Sequence, residues 1–120
     1  MSNSGCNMQY LVIGKDGTDE KVIERRMTVR EAHLKLGDKM ELEGSRWYGC
    51  VMLDDNGKMI GSMAVMDFPS EKELHEWLDR EPYVTGKVWQ TVEIYKCNVK
   101  RPWKFNRPQS FYEEREKQSK

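Results

Sequence analysis

The dipeptide Asn56-Gly57, set between two runs of β-forming residues, constrains the fold of this chain more than any other feature. The runs are Trp47 to Asp54 (W-Y-G-C-V-M-L-D) and Met59 to Met66 (M-I-G-S-M-A-V-M). Because Asn and Gly tolerate the positive φ values of tight turns, the two runs are predicted to pair as an antiparallel hairpin. Both faces of these strands are rather apolar, which one layer of helices cannot cover. A second copy of the chain is the economical cover for the other face.

Two further strands are predicted near the ends of the chain. Met8 to Gly14 (M-Q-Y-L-V-I-G) is a short apolar run rich in β-formers, typical of a central strand. Val88 to Cys97 alternates as a final strand. The first strand runs into Asp16, a position at its carboxyl end where pocket residues often emerge. A turn-forming aspartate bonded to its own backbone is the alternative interpretation of Asp16.

A first helix is predicted from the capping box that Thr28 forms with Glu31, and Gly44 is its predicted C-cap. The apolar spacing assigns its inner face to Val29, Ala32, His33, Leu36 and Met40. His33 would therefore point towards the interior, with Arg26 just before the helix and Arg30 in its first turn. The alternative is a core histidine bonded to a backbone group.

A second helix is predicted from the capping box of residues Ser70 to Glu73, and Pro82 ends it. Its inner face is Leu74, Trp77 and Leu78, while His75 falls on the polar side as a solvated residue. The element order is then β-α-β-β-α-β, the ferredoxin-like arrangement of the α+β class with an antiparallel sheet. We expect one such domain over residues 1–99.

Bulk properties limit the classes of function. The chain has 120 residues, 20 acidic against 20 basic side chains and a pI near 6.7, which argues against a general nucleic-acid or membrane-surface binder. Cys6, Cys50 and Cys97 are too few and too widely spaced for a disulfide framework or a zinc site. With no apolar run of membrane length and no signal-peptide core, a soluble cytoplasmic protein without metal or cofactor is expected.

Residues 100–120 form a separate arm. It begins K-R-P-W-K-F-N-R-P, which has four basic residues, no acids and two aromatics, and Ser110 to Glu113 could cap a short helix. Basic residues interleaved with aromatics can bind single-stranded nucleic acid. The two prolines and the neutral chain favour an arm that packs on its own domain or on a neighbour. An assembly protein acting through this arm is the least supported hypothesis.

Two motifs resemble those of the YCII-related (YciI-like) family. The first is E-[KR]-R-[LM]-x-V-R-x-x-H-L, matched by Glu24, Arg25, Arg26, Met27, Val29, Arg30, His33 and Leu34. The second is an acidic-Pro-Tyr-Val turn after the second helix, matched by Glu81 to Val84 and followed by Val88-Trp89. The resemblance spans roughly Met8 to Val99. Neither motif is specific alone, but together, in this order, they are quite specific.

The resemblance implies a ferredoxin-like domain that forms a homodimer through its sheets, closing an α+β barrel. Some members are linked to the breakdown of hydroxylated or chlorinated aromatic compounds, and related barrels include muconolactone isomerase-like enzymes. The family is thought to use a histidine and an aspartate as an acid/base pair. His33 takes the first role, and Asp16 is the candidate for the second. Two departures concern the pocket rim: Glu43 to Trp47 (E-G-S-R-W) replaces a small A-G-P stretch, and Glu81 replaces the usual aspartate.

Histidine is the side chain suited to proton transfer at neutral pH without large perturbation. Arg26 and Arg30 could hold an anionic group of a substrate, Glu81 could contact the substrate, and Tyr83 could donate to a developing oxyanion. Surface ion pairs and a packed turn tyrosine are the alternatives, and for Arg25 a surface pair is preferred. These residues predict a cofactor-free lyase or isomerase, and the family resemblance implies a small hydroxylated aromatic or lactone ring as its substrate. A small-molecule-binding or regulatory module that uses the same pocket without chemistry is the alternative.

Overall fold

The computed structural model describes residues 7–99 and residue 113. Within them the chain forms, in order, β1 (Met8–Asp16), α1 (Val22–Glu43), β2 (Arg46–Leu53), β3 (Met59–Phe68), α2 (Glu71–Arg80), α3 (Pro82–Thr85) and β4 (Trp89–Cys97). The strands pair antiparallel in one sheet of order β2-β3-β1-β4. The predicted ferredoxin-like α+β fold is confirmed. The predicted arm over residues 100–120 and its helix lie outside the described residues except at residue 113.

The hairpin between β2 and β3 is confirmed, with one difference in its turn. The Gly57 N–H donates to the Asp54 carbonyl (3.0 Å), and the Asp54 N–H donates to the Lys58 carbonyl (2.9 Å). Of the Asn-Gly pair, only Gly57 takes a positive φ, at +82°. The connection is therefore a three-residue loop with glycine in the left-handed position, rather than the two-residue turn with two positive φ values.

Helix α1 begins six residues before the predicted capping box, at Val22 rather than at Thr28. The Thr28 hydroxyl donates to the Glu24 carbonyl (2.8 Å), as threonine does inside a helix, so the predicted cap is wrong. Arg26 therefore lies within the helix. Ala32, predicted on the inner face, is exposed, whereas Met40 is buried and Gly44 ends the helix with φ +88° as predicted.

Helix α2 agrees with its predicted bounds and inner face. Ser70 is the N-cap residue, although its hydroxyl donates to the Glu73 carboxylate (2.9 Å) instead of accepting from the backbone. Leu74 and Trp77 are buried, and His75 is exposed on the opposite side. The predicted turn at Pro82 is the single-turn helix α3, with proline at its first position.

The helices cover one face of the sheet and leave the other open. The covered face carries the main core, which includes Tyr10, Val12, Met66, Phe68, Leu74 and Trp77. The other face is apolar at its centre, where the half-buried Leu11 pairs with Val65 on one side and with the exposed Tyr95 on the other. No helix in residues 7–99 combines the length and the apolarity needed to cross a membrane.

Candidate functional site

A cavity of about 250 Å³ lies beside α1 and the β2–β3 hairpin. One wall is a stripe of α1 made by Arg26, Arg30, His33 and Gly37, spaced three or four residues apart so that they share one face of the helix. The remaining lining residues are Leu34, Arg46, Gly49, Cys50, Val51, Met59, Ser62, Met63, Ala64, Trp77, Glu81, Tyr83 and Trp89. The cavity thus gathers residues from α1, from the hairpin and from the segment after α2.

The centre of the site is a histidine–carboxylate pair. The Nδ1 atom of His33 contacts the Oε1 atom of Glu81, and the two side chains are 16% and 2% exposed. The same Oε1 atom accepts the Tyr83 backbone N–H at 3.1 Å, because Glu81 is the N-cap of α3. A carboxylate oxygen that accepts from two N–H groups fixes the proton of His33 on Nδ1. In a neutral ring with this tautomer, Nε2 carries the free lone pair, and His33 is one of the residues that line the cavity.

Aromatic rings hold the imidazole in place. The Tyr83 ring stacks on the His33 ring with centroids 3.7 Å apart and planes 9° apart. Trp89 meets the imidazole edge-on at 6.3 Å. Burial raises the pKa of Tyr83, and the positive charges of Arg26 and Arg30 oppose this shift. The phenol therefore keeps its proton at neutral pH and can donate a hydrogen bond.

Arg26 and Asp16 form a buried ion pair behind this stack. The Arg26 Nη1 and Asp16 Oδ2 atoms are 2.7 Å apart, with side-chain exposures of 3% and 2%. Arg26 also donates to the Ser62 hydroxyl (3.2 Å), and its guanidinium lies 4.7 Å from the centre of the Tyr83 ring. Burial raises the pKa of Asp16, and the charge of Arg26 opposes that shift.

This arrangement differs from the predicted pairing of His33 with Asp16. Arg26 precedes His33 by seven residues, which is about 10 Å along the helix axis. The Asp16 side chain at the end of β1 contacts Arg26, and the carboxylate on His33 belongs to Glu81. Glu81, predicted as a substrate contact, is thus the partner of the imidazole. The predicted surface pair of Arg25 is present with Asp19 at 2.7 Å.

Two further arginines line the cavity outside the buried pair. Arg30 lines the cavity, is exposed and forms no ion pair with another residue in the described part of the chain. Arg46 also lines the cavity, and its Nη1 atom lies 2.7 Å from the Glu41 carboxylate. Sequence reasoning did not assign Arg46 to the site, although its place in the stretch that departs from the family pattern was a usable signal.

Trp89 is another lining residue that sequence reasoning did not assign to the site. Its indole Nε1 is buried and has no hydrogen-bond partner among the described residues, and the same holds for Arg26 Nε and Asp16 Oδ1. Across the described ranges, no three His, Cys, Asp or Glu side chains are grouped so that they could hold a metal ion. The site therefore offers one imidazole, one paired carboxylate, a phenol and guanidinium groups.

Comparison with known proteins places this chain in a family. The model of the YCII-related domain matches residues 8–103. Protein YciI of Escherichia coli O6:H1 is 30% identical over 93 residues, which is 72% of this chain and 93% of that protein, and Protein YciI of Shigella flexneri matches equally. Among solved structures, the chain is similar to a 5-chloro-2-hydroxyhydroquinone dehydrochlorinase of Burkholderia phenoliruptrix in complex with 2,5-dihydroxybenzoquinone.

The likeness to that structure has a TM-score of 0.67 at 19% identity and covers 78% of this chain and 97% of the other. At this identity it establishes the common fold. The family model spans most of the chain and contains both sequence motifs. The chain belongs to the YCII-related family.

Proposed function

We propose that this chain is a small acid/base enzyme of the lyase or isomerase type that acts on a hydroxylated ring compound. The observation that carries the proposal is the pair of His33 with Glu81 on the wall of a cavity large enough for such a ring. A dehydrochlorinase of the same fold, whose name describes the removal of HCl from a chlorinated hydroxyhydroquinone, supports the lyase class.

The proposed reaction begins with proton transfer to the Nε2 atom of His33. The proton leaves a carbon next to a ring carbonyl, and the electron pair of the broken C–H bond forms an enolate. In an elimination, the electron pair then forms a double bond to the neighbouring carbon and expels a leaving group such as chloride from it, and the imidazolium releases its proton to water. In an isomerisation, the imidazolium returns the proton to another carbon. Glu81 stabilises the imidazolium that exists between the two steps. Neither step of the proposed reaction uses a cofactor.

Developing negative charge on the substrate needs donors that do not have to reorganise. The Tyr83 phenol and the exposed guanidinium of Arg30 are the candidates, since Arg26 is already committed to Asp16 and Ser62. We assign Arg26 to the placement of Tyr83 rather than to direct substrate contact. The sequence-based role of Asp16 as the acidic partner passes to Glu81 in this proposal.

We also propose that the chain works as a homodimer, with the open face of the sheet as the interface. Its centre, around Leu11, Ile13, Met63 and Val65, is apolar, and a neighbouring sheet would remove that surface from water. Contact with nucleic acid or membrane is not part of the proposed function, and a small molecule is the only ligand it requires.

The test is turnover on a panel of chlorinated hydroquinones, hydroxyquinones and unsaturated lactones. His33→Ala is expected to lower the rate by about 10²–10⁴-fold, the usual share of acid/base catalysis. His75→Ala is the matched control, because His75 lies 3.6 Å from Glu71 on the surface of α2, with 57% of its side chain exposed. Equal loss in both variants would remove His33 from the reaction. Saturable binding with no product would instead establish the binding-module alternative.

A further inference from the structure

The guanidinium of Arg46 sits in a slot between two glycines at the end of the cavity away from Arg26. A Cβ atom built on Gly49 would lie 1.8 Å from its Nη2 atom, and one built on Gly37 would lie 2.9 Å from its Nη1 atom. The slot therefore exists because α1 and β2 both have glycine where they face Arg46. We propose that Arg46 selects ring compounds that carry a carboxylate, which it binds at the far end of the ring from the reacting carbon.

The guanidinium of Arg46 uses only its Nη1 atom in hydrogen bonds with other described residues. Its Nη1 atom pairs with Glu41 at 2.7 Å, and neither Nε nor Nη2 bonds to another residue in the described part of the chain. Arg46 is 19% exposed at its side chain, while Glu41 is 47% exposed. Glu41 thus holds the guanidinium from the solvent side. The Nε–Nη2 edge is the geometry that binds a planar carboxylate through two parallel bonds.

The distance along α1 fits one ring. Gly37 follows His33 by one helical turn, which is about 6 Å along the axis. A six-membered ring over His33 would present a substituent on its opposite carbon to the Arg46 slot. Arg30, which has no ion pair among the described residues, lies one turn to the other side of His33 and adds positive charge.

This inference rests on the proposed function, since it assumes that the ligand is a ring bound beside His33. It names a narrower substrate class: hydroxylated ring carboxylates rather than uncharged hydroxyquinones. Arg46 acts here through binding, so its loss should raise KM for ring carboxylates and leave kcat nearly unchanged.

The experiment is equilibrium titration with two inert ligands of the same shape, 2,5-dihydroxybenzoate and 2,5-dihydroxybenzamide. The unaltered protein is expected to bind the acid about 10- to 100-fold more tightly than the amide, the range of a charge-assisted bidentate contact. Arg46→Gln should reduce that ratio to about one without changing the affinity for the amide. Arg46→Lys should give an intermediate ratio, since an ammonium keeps the charge but lacks the fork.

Two further variants test whether the selectivity depends on the position of the Arg46 guanidinium or only on the total positive charge. Gly49→Ala fills the slot and should lower the ratio although no charge is lost, because the guanidinium must move. Arg80→Gln removes an exposed arginine at the end of α2 and should leave the ratio unchanged. Circular dichroism of each variant shows whether it is folded.

Equal binding of acid and amide, no binding of either, or a ratio that survives Arg46→Gln would overturn the proposal. The titration requires no turnover, so it is independent of the catalytic role of His33. Selectivity that depends on Arg46 in a protein without turnover would leave this inference standing while the enzymatic proposal fails.

Discussion

Glu81 is the residue on which the proposed chemistry depends most. One oxygen of its carboxylate contacts His33 Nδ1 and also accepts the Tyr83 N–H. It therefore fixes the imidazole tautomer and caps α3 at the same time. Its near-complete burial, at 2% exposure, means that little water competes for that oxygen.

We expect Glu81→Gln to lower kcat by about 10- to 100-fold, the value of one hydrogen bond to a charged group. The amide oxygen can still accept the Tyr83 N–H, so α3 should remain folded, while the imidazolium loses its counter-charge. Steady-state kinetics provide the measurement. Glu71→Gln, which removes the partner of the exposed His75, is the control and should have no effect. A fully active Glu81→Gln variant would contradict the assigned role.

The buried pair of Arg26 with Asp16 makes a second prediction at this scale. Arg26→Met leaves the Asp16 carboxylate buried without its cation and should reduce the free energy of unfolding at pH 7 by about 3–5 kcal/mol. The pKa of Asp16 is already raised by burial, and loss of Arg26 raises it further. The folded state then binds the Asp16 proton more tightly than the unfolded state does. The contribution of Asp16 to the stability of the variant is therefore fully present below the pKa of Asp16 in the unfolded state. It is lost as the pH rises through the pKa of Asp16 in the folded state.

Denaturant unfolding of Arg26→Met between pH 4 and pH 7 measures this effect. The deficit relative to the unaltered protein should shrink as the pH falls. Adding Asp16→Asn to Arg26→Met should recover part of the stability at pH 7, since no unpaired charge remains. A deficit that is independent of pH, and unaffected by the second substitution, would mean that the pair contributes through packing alone.

The sequence singles out the imidazole of the proposed mechanism, but not the carboxylate that contacts it in the structure. His33 could be found from its place in an apolar stripe flanked by arginines. Asp16 and Glu81 were both possible acidic partners of His33, because Asp16 ends β1 and Glu81 follows the end of α2. Two contacts decide between them. Arg26 pairs with Asp16, and the packing of α3 on α1 brings Glu81 to His33. The second contact joins residues far apart in the sequence, so local patterns do not predict it.

At the scale of elements, the strands were easier to predict than the start of α1. Strand ends are marked by turn residues such as Asn56-Gly57, next to runs of β-forming residues. The capping box at Thr28 is a local signal, but Asp19 supplies an earlier one by accepting the Lys21 N–H and pairing with Arg25. The helix accordingly begins at Val22, three residues after Asp19. A helix signal inside a longer helix cannot be told from a true start by spacing alone.

Strand β1 carries a prediction about packing between elements. A Cβ atom at Gly14 would lie 2.2 Å from the ring of Trp89, so Gly14→Ala must displace the indole from the cavity wall. We expect the free energy of unfolding to fall by about 1–3 kcal/mol, as in overpacked cores. Denaturant unfolding checks this. Lys15→Ala, at the next position and exposed, is the control and should change stability by less than about 1 kcal/mol, since its contact with Glu93 is on the surface.

At the scale of the whole molecule, the open sheet face makes the proposed homodimer testable. Val65 lies at its centre, paired with Leu11 on one side and with Tyr48 on the other. Val65→Lys would place a charge inside a sheet-to-sheet interface and should convert a dimer into a monomer. Light scattering with size-exclusion chromatography measures the mass. Leu42→Lys, at a residue 91% exposed on α1, is the control.

An unaltered protein that is monomeric at all concentrations would contradict the dimer, as would a Val65→Lys variant that keeps its mass. The apolar character of both strand faces in the sequence is the basis for proposing this interface. It could not specify the partner, because an uncovered face is compatible with any apolar surface. The basic arm of residues 100–120 stays a prediction because it lies outside the described residues except at residue 113.

The most direct test of the account is the exchange of substrate hydrogen for deuterium in heavy water, followed by NMR. A ring ketone or lactone from the panel that has a hydrogen next to its carbonyl reports proton removal even if no leaving group departs. We expect rapid exchange with the unaltered protein and with His75→Ala, and exchange slower by about 10²–10⁴-fold with His33→Ala. Exchange at the same rate in His33→Ala as in the unaltered protein would contradict the claim that this imidazole removes the proton.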